Sequence, residues 1–293
     1  MLWTIAAGIL FSVLNATMRL MALQLDTYQT QFLRYGFGLL VMLPFVLRSG
    51  VASYRPNDLR RQLLRGLVHT AGMFLWFTAL PHIPLADTTA IGFTTPIFIM
   101  LGATLALGER MVPARWVAAA IGLGGVMIVV APKLAGSGGA YNLVMLASAP
   151  VFAASFLMAK ALTRRDRAEV IVLWQALTVT LFTLPAALVN WSAPSATQWL
   201  LFLVAGVLGS LGHYCLNRGF QVADISATQP VKFLDLIWAS AMGFLLFGNV
   251  PTETTLLGGA VIFVASAWIA RSEARRSAAL MAAARAARGD ARD

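Results

Sequence analysis

Residues 226–250 read SATQPVKFLDLIWASAMGFLLFGNV, a stretch that is apolar along most of its length but carries two charges near its start. The charges are Lys232 and Asp235, three residues apart. A charge at the centre of a membrane helix costs roughly 2.5–3.5 kcal/mol on insertion scales, so charges there serve a purpose. Side chains at i and i+3 meet on one helix face, and pairing offsets part of this cost.

A similar stretch lies about 140 residues earlier in the chain. Residues 86–110 read ADTTAIGFTTPIFIMLGATLALGER, and sliding the chain by 140 places their LGE on the FGN of the later stretch. Arg19, at the end of the first apolar run, likewise falls near Lys160, at the end of the sixth. We therefore predict an internal repeat.

Each of the two matched stretches contains a proline, Pro96 in the first and Pro230 in the second. A proline within a helix lacks an N–H and crowds the carbonyl four residues earlier, which leaves backbone oxygens in need of partners. Nearby polar side chains, water or substrate can supply them; these side chains include Thr94, Thr95 and Gln229. There are two alternatives. Either the prolines kink their helices where these line a cavity, and so take part in gating, or they only bend the helices.

The composition points to a membrane protein. The 293 residues are 59% hydrophobic and 12% charged, with a mean hydropathy of +0.75, whereas a soluble domain carries about a quarter charged residues. Ten apolar runs are long enough to cross a hydrocarbon core of about 30 Å. We place them near residues 3–23, 28–47, 63–81, 84–107, 113–131, 141–162, 168–190, 198–221, 225–247 and 254–270.

The cations lie almost entirely on one side of these ten predicted transmembrane helices. Alternate loops and the C-terminal tail hold Arg48, Arg55, Arg60, Arg61, Arg65, Arg110, Arg115, Arg164, Arg165, Arg167, Arg218, Arg271, Arg275, Arg276, Arg285, Arg288 and Arg292. Lys133 alone is on the other side. By the positive-inside rule both termini are cytoplasmic.

The repeat and the sidedness together predict an all-α integral membrane protein of two inverted five-helix repeats. Five is an odd number, so the second copy, residues 140–271, crosses the membrane in the opposite direction to the first, residues 1–133. Residues 272–293 form a basic cytoplasmic tail that is attracted to anionic lipid.

Several classes of function are excluded or disfavoured. The net charge of +10 arises in loops and the tail and forms no basic stripe with aromatics, so we expect no nucleic-acid partner. The lone Cys215 excludes a disulfide within the chain. The sequence has no HExxH, GxSxG, P-loop or GxGxxG motif, so we predict no enzyme, metal site or cofactor.

Inverted repeats are typical of transporters that work by alternating access, with a site near the bilayer midplane. An amino acid carries one carboxylate and one ammonium, and the pair Lys232 and Asp235 can exchange partners with such a zwitterion. We therefore predict that this pair recognises the substrate or gates its path. The alternative is a permanent ion pair that holds helices together.

Other polar and aromatic side chains within the predicted spans are candidates for the cavity wall. They are His69, Trp76, Trp174, Gln175, Tyr214, Asn217 and Trp238. The alternatives are a histidine packed on a backbone carbonyl and aromatics placed at the membrane interface. Asp87, Glu109 and Asp235 are candidates for proton coupling, although facilitated diffusion needs none of them.

These features resemble the EamA-like family of the drug/metabolite transporter superfamily. The resemblance covers about residues 1–272 and rests on the paired segments ending LALGER and LLFGNV, and on Arg19 and Lys160 closing the first helix of each half. The family commonly has Gly-Glu at the end of both segments; Glu109 fits, whereas Asn249 departs.

Within that family the chain looks most like the YddG-type exporters of aromatic and other amino acids. The resemblance implies that the protein exports a small molecule, an amino acid, through the bacterial inner membrane by way of a central cavity. We expect a monomer surrounded by membrane lipid. Relatives also move purines, phosphorylated sugars, nucleotide sugars and drugs, and these stay open as alternatives. A membrane receptor or scaffold without transport is the remaining rival.

Overall fold

The computed structural model describes residues 1–79, 82, 91–110, 112–130, 139–247 and 252–289, and within these residues the chain is helical with no strand. A short 3-10 helix, Val51–Tyr54, follows the second α-helix. The α-helices are α1 (Leu2–Ala22), α2 (Thr27–Ser49), α3 (Leu59–Ala79), α4 (Thr95–Leu107), α5 (Pro113–Val130), α6 (Gly139–Leu162), α7 (Ala168–Ala187), α8 (Ala196–Val222), α9 (Ile225–Lys232), α10 (Asp235–Phe247) and α11 (Glu253–Gly289).

Capping residues explain several of the helix ends. The Asp26 carboxylate accepts hydrogen bonds from the backbone N–H groups of Tyr28 and Gln29, at 2.9 and 3.0 Å, and so begins α2. Ser195 and Gln198 form a reciprocal capping box at the start of α8. Gly108 ends α4 with φ of 67°, a left-handed conformation that glycine adopts without strain.

Six of the described helices are long and apolar enough to cross a membrane. They cover Leu2–Ala22, Thr27–Ser49, Ala140–Leu162, Ala168–Ala187, Ala196–Val222 and Glu253–Arg276. Shorter apolar helices cover Thr95–Leu107 and Pro113–Ile128. Large apolar side chains project outward from the bundle, among them Leu47, Leu105 and Val264, each at least 66% exposed. The prediction of an all-helical membrane protein is thus confirmed.

Helix contacts occur in pairs that are related by exchanging the first and second halves of the chain. Helix α1 packs on α8, and α6 packs on α3. Helix α2 contacts α8 as α7 contacts α3, and α4 contacts α6 as α10 contacts α1. Helix α2 also packs on α7, and α5 on α11. Each of these contacts joins one half of the chain to the other.

The bundle has a basic end, which we define by the linked segments at residues 49–58, 108–110, 163–167 and 222–226. The Asp166 carboxylate accepts hydrogen bonds from the backbone and side chain of Asn57, and the Arg167 guanidinium donates to the Ser53 carbonyl. Lys160 donates to the carbonyls of Phe220 and Ala223. These contacts gather Arg55, Arg110, Arg164, Arg165 and Arg167 at one end.

The opposite end carries no lysine or arginine in its two described turns, residues 23–26 and 188–195. Gln29 on α2 donates to the Ser192 carbonyl and accepts from the Ser192 N–H, which ties these turns together. Lys133, which the sequence places at this end, lies outside the described residues. Apart from Arg19, which lies in the last turn of α1, the described loop cations are at the basic end, as the loop count predicts.

A cluster of ionic contacts at the basic end joins the two halves, and we call it the basic-end latch. The Glu109 carboxylate accepts hydrogen bonds from the backbone N–H groups of Ile225 and Ser226, at 2.8 and 3.0 Å, at the start of α9. Arg115, only 3% exposed, pairs with Asp224 at 3.0 Å and with Glu273 at 2.9 Å. The latch therefore holds the start of α9 and the end of the membrane-spanning part of α11 against the first half.

The two segments that match in sequence are both interrupted, and the interruptions lie 140 residues apart. In the first segment the described residues Ile91 and Gly92 are helical, and a break follows at Phe93 and Thr94 before α4. In the second, α9 breaks at Phe233 and Leu234 before α10. Both breaks have the same backbone hydrogen bonds: Thr94 N to Ile91 O (3.0 Å) and Leu234 N to Val231 O (3.1 Å), then Ile97 N to Thr94 O (3.0 Å) and Ile237 N to Leu234 O (2.9 Å).

The two breaks touch each other in the interior of the bundle. The Phe93 and Phe233 rings lie 5.5 Å apart between centroids with an interplanar angle of 31°. Both phenylalanines are buried in the same apolar cluster as Met100 and Ile262. Equivalent residues of the two matched segments thus face each other where the halves meet.

Candidate functional site

A network of polar side chains lies buried among five helices near the middle of the bundle. His69 on α3 is its centre and is 3% exposed. The Tyr35 hydroxyl on α2 lies 2.9 Å from His69 Nε2, and the Ser155 hydroxyl on α6 lies 3.1 Å from His69 Nδ1. A buried polar group without partners is costly, and here the histidine uses both ring nitrogens.

Gln175 on α7 connects the rest of this network. Arg65 Nη2 donates to Gln175 Oε1 at 2.6 Å, and because arginine has no acceptor, this contact sets the orientation of the amide. Gln175 Nε2 then faces His69 Nε2 at 3.1 Å and His213 Nε2 at 3.4 Å. A His69 tautomer that is protonated on Nδ1 satisfies Gln175, Tyr35 and Ser155 together.

Two arginines in the interior have no carboxylate partner among the described residues. Arg65, 1% exposed, relies on Gln175 and on the Ile171 carbonyl at 3.4 Å. Arg34, 8% exposed, lies over the Tyr35 ring at 4.2 Å from its centroid. Paired charges are the rule inside membrane proteins, so two arginines without carboxylates give this network a marked positive character.

A small cavity of about 10 Å³, room for about one water molecule, lies beside this network between α2, α7 and α8. A larger ligand requires these helices to move apart. Glycines on α2 and α8 form part of its wall, so the backbones approach it closely. Four polar side chains, Arg34, Gln175, Ser210 and His213, also line it. His213 Nδ1 and Arg34 Nε are buried and have no hydrogen-bond partner among the described residues. Unused donors and acceptors at a cavity wall are suited to a polar ligand.

The Lys232 and Asp235 pair is linked to this network through Phe11. Lys232 Nζ and Asp235 Oδ2 are 2.5 Å apart, with side chains 22% and 27% exposed. The centroid of the Phe11 ring on α1 is 5.7 Å from Lys232 Nζ, and the ring packs edge-on against His213 with 4.9 Å between centroids. The pair spans the second helix break, since Lys232 ends α9 and Asp235 begins α10.

Some of the predicted cavity residues belong to the network. His69 and Gln175 are at its centre, and Asn217 lies one turn from His213, whose carbonyl accepts from the Asn217 amide. The Asn217 side-chain oxygen is buried without a partner among the described residues. Trp238 is on α10 beside Asp235, next to Gly8 of α1, and its indole N–H is likewise unpaired among them.

Other predicted cavity residues have different surroundings. Trp174 donates its indole N–H to the Tyr54 carbonyl at 3.0 Å and so anchors the 3-10 helix at the basic end. Tyr214 packs edge-on against Trp3 at 6.1 Å. Trp76 packs against Phe77. These aromatics fill helix contacts in this structure.

The residues around the helix breaks are placed as follows. Pro96 lies in the first turn of α4, after the first break, whereas Pro230 lies inside α9, before the second. The Thr94 hydroxyl donates to the Ile91 carbonyl, and Thr95 begins α4. Gln229 is buried, and its amide donates to the Ile225 carbonyl and the Thr228 hydroxyl. The Pro230 carbonyl accepts from the Ser266 hydroxyl at 3.1 Å.

The three acidic candidates for proton coupling differ in their placement. Glu109 belongs to the basic-end latch, and Asp235 belongs to the ion pair at the second break. Asp87 lies outside the described residues. Among the residues that the structure describes, no group of three or more metal-ligating side chains comes together.

Sequence reasoning assigned no binding role to four members of the network, which are Arg34, Tyr35, Arg65 and His213. Arg65 in particular is counted as a loop cation, although it lies two residues inside the third apolar run, which is taken to begin at residue 63. Helix α3 begins at Leu59, so Arg65 lies in its second turn and is buried. The available signal was the spacing of Arg65 and His69, which at i and i+4 occupy one helix face.

Comparison with known proteins places the chain among bacterial transporters. Residues 1–131 and 139–271 each match the EamA-like transporter family. The riboflavin transporter of Rhizobium johnstonii is 37% identical over 278 residues, with 94% of this chain and 92% of that protein covered. The riboflavin transporter of Vibrio cholerae is 32% identical, with 94% of each chain covered.

More distant similarities agree on the fold but not on the substrate. The S-adenosylmethionine uptake transporter of Rickettsia prowazekii is 25% identical, with 92% of each chain covered. A protein of known crystal structure superposes with a TM-score of 0.80 at 18% identity, over 94% of this chain and 97% of that one, and shows the same fold. The names of these relatives do not support the predicted amino acid export.

Proposed function

The chain belongs to the EamA-like transporter family, as a multi-pass protein of the bacterial inner membrane and not an enzyme, and we propose that it transports riboflavin or a similar flat heteroaromatic metabolite. The observation that carries this proposal is the buried donor-rich network of Arg34, Arg65, Gln175 and His213 beside the interior cavity. The names of two relatives at 37% and 32% identity point to the same substrate.

The chemistry of riboflavin suits these surroundings. Its ring system is flat and apolar on both faces, and its pyrimidine edge presents carbonyl oxygens and ring nitrogens that accept hydrogen bonds. The cavity offers donors from arginine and glutamine, and the rings of Tyr35 and Phe11 lie next to it. Aromatic faces with a few placed polar groups are the usual composition of a small-molecule site.

We further propose that the two halves, residues 1–133 and 140–271, are inverted repeats that alternate access to this cavity. The matched backbone breaks and the paired helix contacts support this reading. Direction supports it too, since α1 starts at the basic end, where Trp3 meets Arg218, whereas α6 ends there with Lys160. By the positive-inside rule the basic end, both termini and the tail of residues 272–293 are cytoplasmic.

In this arrangement the structure is closed at its cytoplasmic end. The basic-end latch joins Glu109 and Arg115 of the first half to the start of α9 and to α11 of the second. Opening to the cytoplasm requires these charge-assisted hydrogen bonds to break, and release to the other side requires them to form.

A second candidate substrate is an amino acid, and the observation that favours it is the Lys232 and Asp235 pair. Both side chains are partly exposed, and Lys232 Nζ lies 5.7 Å from the centroid of the Phe11 ring. A zwitterion can replace each partner by a group of equal charge, so its binding leaves no lone charge in the interior. The riboflavin proposal ranks first because it also uses the larger network.

The test is counterflow of labelled riboflavin into proteoliposomes loaded with unlabelled riboflavin, alongside a panel of labelled amino acids, with and without a pH gradient. We expect saturable riboflavin exchange by the native chain. Gln175→Leu is expected to lower it about tenfold or more, since Arg65 and His213 lose their shared partner. Gln24→Leu, at an exposed position on the opposite end, is the matched control. Exchange of amino acids without riboflavin would overturn the proposal.

A further inference from the structure

We propose that Arg34 reads the substrate by donating two parallel hydrogen bonds to a planar edge that carries two neighbouring acceptor atoms. The inference rests on the transport function proposed above and names the chemistry of the group that binds. The edge belongs either to a ring system, as a carbonyl oxygen next to an unprotonated ring nitrogen, or to a carboxylate.

The first argument is the lack of partners for Arg34. The side chain is 8% exposed and lines the interior cavity, yet it donates no hydrogen bond to any residue that the structure describes. Its Nε is fully buried. A guanidinium has five N–H donors, and burying them unmet costs far more than burying them paired. A ligand in the cavity is the group that meets them.

The second argument is that Arg34 is held in place without using its donors. Its guanidinium lies over the Tyr35 ring at 4.2 Å from the centroid, a contact that stabilises the cation through the ring face. On the other side it packs against Gly209 of α8, where an added Cβ would lie 3.4 Å from Nη2. The donors therefore stay available while the side chain stays ordered.

The third argument comes from Arg65, which shows how this interior accommodates a guanidinium. Arg65 Nη2 donates to the planar amide of Gln175 at 2.6 Å, and a carboxylate is absent from its surroundings among the described residues. Gln175 lines the same cavity as Arg34. Neutral planar acceptors are thus compatible with arginine at this depth, so the edge of a neutral ring qualifies as well as a carboxylate.

The geometry of the arginine fork defines the class of ligand. Its two parallel N–H groups match the two oxygens of a carboxylate, and they match equally a carbonyl oxygen beside a ring nitrogen, as at the guanine edge. The flavin ring has such an edge at its 4-carbonyl and N5, and an amino acid has its carboxylate. Lysine supplies charge but cannot make this paired contact.

The experiment compares two ligand pairs that differ by one acceptor. Dissociation constants are measured by calorimetry on the full chain in detergent for riboflavin against 5-deazariboflavin, which has CH in place of N5, and for phenylalanine against phenylalaninamide. The proteins are the native chain, Arg34→Lys, Arg34→Gln and the control Arg48→Lys, whose parent arginine is exposed on α2. Size-exclusion chromatography confirms that each variant is folded.

In the native chain and in Arg48→Lys we expect one ligand pair to differ by about tenfold or more, as for a hydrogen bond to a charged group. The difference should fall below about threefold in Arg34→Lys and in Arg34→Gln. A difference that survives both substitutions, or no difference in either pair, overturns the role of Arg34. A difference confined to the amino acid pair, with weak binding of both flavins, supports Arg34 and overturns riboflavin instead. Equal, tight binding of both flavins without a difference in the amino acid pair overturns Arg34 alone.

Discussion

The two helix breaks have the same backbone and different chemistry. The backbone hydrogen bonds that flank the two breaks join residues at equivalent positions, 140 apart in the chain. The equivalent residues Phe93 and Phe233 are in contact. The first break is flanked by Gly92 and Thr95, whereas the second carries Lys232 and Asp235 at the corresponding positions. We propose that the shared backbone serves a movement that both halves make, whereas the charges give the second break a chemistry that the first lacks.

The largest effect is expected from removing one charge of the second break. Lys232→Ala or Asp235→Ala leaves the other charge inside the bundle without its partner, and we expect substrate flux in proteoliposomes to fall about tenfold or more. The thermal unfolding temperature in detergent should fall as well. Full activity of both variants would remove the pair from the site.

The double variant Lys232→Gly with Asp235→Thr gives the second break the residues of the first, and it separates stability from selectivity. Because no lone charge remains, we expect its unfolding temperature to recover toward that of the native chain, while flux stays low. Recovery of flux would mean that the pair only secures helix packing.

A smaller effect is expected at two matched glycines. A Cβ on Gly206 would lie 2.7 Å from the backbone carbon of Phe37, whereas one on Gly66 would lie 2.1 Å from Oγ1 and 2.4 Å from Cβ of Thr178. Because the backbone holds both Phe37 C and Thr178 Cβ in place, Gly206→Ala and Gly66→Ala should each lower the free energy of unfolding by about 1–3 kcal/mol.

Thr178→Ala, which removes the hydroxyl oxygen 2.1 Å from the added Cβ, should recover part of the loss in Gly66→Ala and none of the loss in Gly206→Ala. The control is Gly124→Ala, since nothing lies within 4 Å of its added Cβ. Unfolding in denaturant from mixed micelles measures all of these variants. Recovery of the Gly206→Ala loss by the Thr178 substitution, or no recovery of the Gly66→Ala loss, would contradict these contacts.

The smallest effect is the coupling between the two facing phenylalanines. Phe93→Leu, Phe233→Leu and the double variant form a cycle in the free energy of unfolding, and we expect a coupling of about 0.5–1.5 kcal/mol because aromatic pairs gain beyond their buried area. Additive losses would show that the rings only fill space at the meeting point of the halves.

The sequence predicted the helical membrane architecture well because hydropathy and loop charge are local properties. It predicted interrupted helices at the right segments, but it attributed the interruptions to Pro96 and Pro230. The 140-residue alignment places these prolines against Leu236 and Ala90, so they are not equivalent to each other. The feature that repeats is the backbone turn that follows Gly92 in the first segment and Lys232 in the second. The residues that precede the two turns differ in type, so the sequence around them gives little signal.

The site was harder to predict, and for a related reason. His69 and Gln175 were recognised because polar side chains are rare in apolar runs. Trp174, an equally plausible candidate, faces the basic end instead, since one residue along a helix turns the side chain by about 100°. The sequence shows that a helix carries polar side chains. The arrangement of the other helices determines which residues those side chains contact.

The basic-end latch has a consequence for how the protein is made. Arg115 emerges from the ribosome 158 residues before Glu273, and 109 residues before Asp224. Until those residues are synthesised, the arginine has neither carboxylate and stays hydrated at the membrane surface, so α5 gains its full anchoring late. Closure of the latch therefore requires the last helix: in a chain truncated before α11, Arg115 would lack Glu273 and keep only Asp224.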